Sequence, residues 1–169
     1  MKSKLFFLIT LIFIVSACRN NKSSDKNSFS TAVAYNDFIV DQQKLILGKH
    51  DAWNAAFTNK NVQEAKIKLD ELTKQCKIAI DTISKIDAFN KNTEFRDAAI
   101  RLFTLYKNTA EGGFKEETEI LMKSEISDQD EERVNQIEDE FFNTEKEIYN
   151  AFIKAQGKFA SENNMVLKQ

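Results

Sequence analysis

The sequence predicts an all-α fold: an up-down-up-down antiparallel four-helix bundle that follows a cleaved signal peptide and a flexible tether. Three observations carry this. Pro is absent and Gly occurs only four times in 169 residues, so the chain lacks the tight-turn residues of β-architectures and any forced helix break. Apolar residues recur at spacings of three and four along four long stretches, the period of an amphipathic helix. The links between these stretches are short, which makes consecutive helices antiparallel neighbours. No fixed-period repeat points to a solenoid.

The first helix is expected over residues 31–58, with Tyr35, Phe38, Ile39, Leu45, Ile46, Trp53, Ala56 and Phe57 on one side. Gln42 and Lys49 fall near the centre of that side. The second opens at Asn61-Val62-Gln63-Glu64, a capping-box pattern with Asn as the cap. Its stripe is regular: Val62, Ala65, Leu69, Leu72, Cys76, Ala79, Ile83, Ile86. The third spans residues 93–123. Phe95, Ala99, Leu102, Tyr106, Ala110, Gly113 and Ile120 share its face, and the pair Gly112-Gly113 inside it suits a kink or a close helix approach. The fourth starts at Ser127-Asp128-Gln129-Asp130, carries Val134, Ile137, Phe141, Thr144, Ile148, Phe152, Ala155 and Phe159, and ends near Asn163-Asn164. The folded domain is thus residues 31–169.

The amino terminus reads as a targeting signal. Lys2 and Lys4 precede the uncharged run LFFLITLIFIV at 5–15, and the small residues Ser16 and Ala17 follow. That order is a secretory signal peptide of residues 1–17, and its apolar run is shorter than the ~20 residues that span a bilayer. The stretch Val15-Ser16-Ala17-Cys18 resembles the bacterial lipobox. The resemblance implies cleavage between Ala17 and Cys18, lipid attachment to Cys18 and acylation of the new amino terminus. The membrane is then a partner through those acyl chains, because two or more chains anchor stably where one binds reversibly. Arg19 stands where an Asp would resemble an inner-membrane retention signal, which favours the outer membrane or cell surface. Residues 18–30, rich in Ser, Asn and Lys, form the lipidated Cys and its tether, with a reach of at most ~40 Å.

Charge and motifs narrow the function. Net charge is −2, and removing the leader with Lys2 and Lys4 leaves 22 basic against 26 acidic residues, about −4. No Lys/Arg cluster suits nucleic acid. The chain has one His, His50, which is too few for a di-iron bundle or a Cys/His zinc site. There is no G-x-S-x-G elbow, P-loop or G-x-G-x-x-G. Glu116-Glu117 and Glu138-Asp139-Glu140 read as solvated helix faces, and His50 as a half-exposed residue at the edge of its face. No catalytic, cofactor or metal site is assigned and the protein is read as a non-enzyme. With Cys18 lipidated, Cys76 has no disulfide partner and its place on the stripe makes it a packing residue.

One constellation departs from a plain bundle. Lys49 and His50 lie ~27 Å along the first helix, and Gly112-Gly113 ~30 Å along the third, at 1.5 Å per residue. These four residues are a candidate polar, thinly packed layer where a small ligand could sit.

The segments YNDFIVDQQ at 35–43 and AQGKFA at 155–160 together resemble the two ends of a family of small bacterial surface lipoproteins of uncharacterised function, found in spirochaetes and the Bacteroidetes group. The resemblance covers residues 34–167 and implies a surface location and a helical domain, with no catalytic residues to carry over. The resulting expectation is a lipid-anchored envelope module that binds a protein, peptidoglycan or a host component. The alternative is a small-ligand or sensory bundle that uses the layer near Lys49 and Gly113.

Overall fold

A computed structural model of the chain describes residues 28–167. The cleavage and lipid-attachment positions Ala17 and Cys18, the signal peptide and all of the tether but its last three residues lie outside the described residues. Five helical segments follow one another: α1 (Ala32–Thr58), α2 (Val62–Ser84), α3 (Glu94–Glu111), α4 (Gly113–Leu121) and α5 (Asp128–Glu162). No strand occurs among the described residues. The fold is the expected four-helix bundle, with α3 and α4 together forming its third helix.

The helix starts are built as their side chains dictate. Thr31 Oγ1 accepts from the Ala34 N–H at 3.1 Å, and Asn61 Oδ1 from the Glu64 N–H at 3.3 Å. At Ser127 and Asp130 both halves of a capping box are present. Each cap satisfies N–H groups that the first helical turn leaves without a partner. The links after the helices pass through positive φ at Lys60 after α1, Asn90 and Lys91 before α3, and Asn164 after α5; of these, the two Asn are the type that visits this region readily.

α1 packs closely on α2, α2 on α3, and α3 on α5. The backbones of α1 and α5 stay further apart, and large side chains bridge them. Tyr35 and Phe159 meet with ring centroids 5.3 Å apart. Gln156 Nε2 donates to Asn36 Oδ1 at 2.8 Å, fully buried. At this end of the bundle Phe29 packs on Tyr35 and Phe38, at 5.3 and 5.1 Å. The chain therefore enters the bundle where the α2–α3 link and the end of α5 gather, as Asn90 and Asn92 bonding to Asn163 and Glu162 confirm.

The α2 stripe is buried as its spacing requires from Ala65 to Ile86, although Ile86 lies just beyond the helix. Cys76 is fully buried, and burial pushes its thiol up to about 12, far from reactive thiolate. Two faces are rotated from the expectation. On α1 the buried polar positions are Asn36, Gln43 and His50, seven apart, one residue on from Gln42 and Lys49. Leu45 is 51% exposed. On α5, Thr144 faces solvent and Glu145 takes the buried position.

The third helix is interrupted at the glycine pair, where a kink or a close approach is expected. Gly112 has φ −117° and ψ −94°, outside the helical region, and separates α3 from α4. The pair Gly112-Gly113 is the cause, since glycine pairs are where helices bend. Gly113 then lies so close to α5 that a Cβ there would stand 2.6 Å from Ile137 Cγ2. Gly48 and Gly157 have open space around them.

Alanine should therefore act oppositely at these glycines. Gly48→Ala and Gly157→Ala should each stabilise by about 1 kcal/mol through helix propensity. Gly113→Ala should destabilise by about 1–3 kcal/mol, because Ile137 is β-branched and stiff. Urea denaturation of the three variants checks this; a gain at all three positions would contradict the close α4–α5 contact.

Candidate functional site

Where α1 and α5 stand apart, the interior is filled by rings and by buried polar groups. His50 reaches in from α1, 7% exposed, among Trp53, Tyr106, Phe114 and Phe141, whose centroids lie 5.4 to 5.9 Å from its own. Trp53 stacks on Phe114 at 4.1 Å. Its Nε1–H donates to Thr118 Oγ1 at 3.1 Å, and the Thr118 hydroxyl donates to the Phe114 carbonyl at 2.8 Å. Tyr106 donates a short hydrogen bond to Glu145 Oε1, linking α3 to α5. Burial, and then the Glu145 carboxylate, hold the Tyr106 hydroxyl well above the ordinary tyrosine range.

A further polar group is Glu117 on α4, 1% exposed. Burial, and then the charges of Glu138 and Glu116, push its carboxyl up to about 9, so it carries its proton at neutral pH. His50, Trp53, Asn54, Phe114, Glu117, Glu138 and Phe141 line a cavity of about 20 Å³. His50 Nδ1 and Glu117 Oε1 are both buried without a hydrogen-bond partner among the described residues.

The expected layer is thus assembled only in part. His50 is in it, and is buried rather than half-exposed. Lys49 is not: its ammonium turns toward α2 and pairs with Glu71 Oε2 at 2.7 Å, in a partly exposed position. Gly113 opens no space, because Ile137 fills the room beside it, and Gly112 is exposed. Glu117 corrects the reading of the Glu116-Glu117 pair as solvated. Glu116 does lie at the surface, where Arg133 grips both its oxygens at 2.8 Å, while Glu117 turns inward. The spacing held the signal: Glu117 is three residues from both Phe114 and Ile120, so it shares their face. Glu145 likewise follows Phe141 by four and precedes Phe152 by seven.

Larger concavities lie on the surface. One of about 470 Å³ runs between α2 and the α3–α4 break, past Leu69, Ala110, Lys115 and Met122. Another, of about 260 Å³, runs between α3 and α5 beside Ala98, Arg101, Glu147 and Lys154. Among the described residues no group of three or more His, Cys, Asp or Glu is placed to hold a metal ion, and no helix is long and apolar enough to cross a membrane. Comparison of the chain with protein-family models, with curated proteins and with solved structures finds no match.

Glu117 makes stability depend on pH. The folded chain keeps this proton to about pH 9, whereas an unperturbed glutamate releases it at 4.5. Between these values the folded state binds more protons, so stability falls as pH rises. At about pH 7 the cost reaches ~3 kcal/mol, at ~1.4 kcal/mol per pH unit. Glu117→Gln keeps the shape and removes the titration. Its stability relative to the native chain should rise steadily from pH 4.5 to about 9 in urea titrations. A difference that stays flat across that range would mean that Glu117 is ionised in the fold.

Proposed function

We propose that the protein is a lipid-anchored module of the bacterial cell envelope that binds a protein or other envelope partner through the surface of its helical bundle. The observation that carries this is the lipobox-like Val15-Ser16-Ala17-Cys18 at the end of an uncharged apolar run, followed by a Ser/Asn-rich tether. Acylation of Cys18 would hold the chain at a membrane, and Arg19 favours the outer membrane or cell surface.

The direction of the bundle supports the reading. The chain joins the bundle at the Phe29, Phe89 and Phe159 end. With up-down connectivity, the α1–α2 turn at Asn59-Lys60-Asn61 and the α4–α5 link lie at the far end, away from the anchor. That end also carries the exposed Met122. The cavity between His50 and Glu117 is too small for an ordinary small molecule. A cavity of about 20 Å³ takes one water-sized species, and drug-sized ligands occupy roughly 300–1,000 Å³. Trp53 and Phe114, which would strengthen an apolar contact surface if exposed, are core residues.

The anchor is testable directly. Mass spectrometry of the native chain from bacterial membranes should show a form that begins at Cys18 and bears acyl chains. Cys18→Ala should accumulate as the uncleaved precursor without them. Normal processing and lipid labelling of that variant would overturn the proposal.

A further inference from the structure

We propose that the cavity between His50 and Glu117 binds one structural water, which hydrogen-bonds both side chains and ties α1 to α4. Two side chains from different helices line the same cavity, and each carries a buried polar atom, His50 Nδ1 and Glu117 Oε1, without a partner among the described residues. A buried polar atom left without a partner is strongly disfavoured, and in folded proteins such atoms are nearly always met by a protein group or an ordered water. The cavity volume, about 20 Å³, exceeds the ~10–15 Å³ that one water needs.

The chemistry of the walls selects water over other occupants. The protonated Glu117 carboxyl can donate or accept. The His50 nitrogen donates or accepts according to its tautomer. Only a species that both gives and receives hydrogen bonds satisfies every combination, and water does. The rings of Trp53, Phe114 and Phe141 line the rest of the cavity, whose volume holds nothing much larger than a water. A metal ion would need more ligands than these walls supply. Asp51 Oδ1 approaches His50 Nδ1 only to 3.8 Å, too far for a hydrogen bond. The other charged groups around the site are Glu138 on α5, which lines the cavity, and Glu116 on α4, which is held by Arg133. Tyr106 on α3 is committed to Glu145 on α5.

The water would give α4 a second hold on the bundle core. The helix starts at the Gly112 break, so it is not braced by a continuous backbone helix from α3. Trp53–Thr118 is its other buried hydrogen bond to α1.

Water-selective nuclear Overhauser spectroscopy on the full chain in detergent micelles tests the site. A persistent water contact at the His50 ring is expected in the native chain and in Glu117→Gln, which keeps a polar partner. It should vanish in Glu117→Leu. No contact in the native chain, or an undiminished one in Glu117→Leu, would overturn the proposal. Should Glu117→Leu fail to fold, a crystal structure of the native protein decides. Density within ~3.2 Å of both His50 Nδ1 and Glu117 Oε1 supports the water. A direct His50–Glu117 bond, or Asp51 closed onto Nδ1, refutes it.

Discussion

The contact between Gly113 and Ile137 governs the part of the bundle that α4 builds. It brings the backbone of α4 onto the side chain of α5 with no room for a Cβ. From that contact the rest of α4 takes its place. Phe114 comes against Trp53, Thr118 comes under the indole N–H, and Glu117 comes beside His50. The neighbouring Gly112 makes the contact reachable, because its non-helical backbone lets α4 leave the line of α3. Two adjacent glycines therefore do different work: one bends the chain and the other permits the approach.

The buried polar pairs do for helix alignment what apolar stripes do not. Leucine and alanine stripes tolerate sliding by a heptad, since one apolar contact replaces another of similar energy. Asn36–Gln156 across α1 and α5, Tyr106–Glu145 across α3 and α5, and Trp53–Thr118 across α1 and α4 do not. A slip would leave each of these groups buried and unpartnered, at about 1–3 kcal/mol apiece. These pairs bind every helix of the bundle except α2, whose small and regular stripe packs closely on both α1 and α3 without such aid. Glu117 is the exception in the set. Its burial costs stability at neutral pH, and that cost is tolerated because Phe114, Thr118, Ile120 and Leu121 on the same short helix are all buried.

The cavity between His50 and Glu117 is only water-sized. The large concavities lie between helices at the surface, with mixed linings of Lys, Glu, Asp and small apolar residues.

The helices themselves were legible in the chain, because periodicity and caps are local properties. The α2 stripe, the Asn61 cap and the Ser127-Asp130 box need only residues within a few positions of one another. The candidate layer was legible only in its depth: His50 does meet Tyr106 and Phe114. The choice of Lys49 over a neighbour, the exposed Leu45, the inward Glu117 and Glu145, and the break at Gly112 all depended on something nonlocal. Adjacent helical residues differ by about 100° around the axis, and only the positions of the other helices decide which edge of a wide stripe is covered. Acidic residues are usually solvated, and here the packing of Phe114 and Phe141 overrides that tendency. By itself, then, the sequence determined that this is a bundle of four amphipathic helices and where each begins. The tertiary structure decided which polar residues lie inside, because burial is a property of the neighbours and not of the residue.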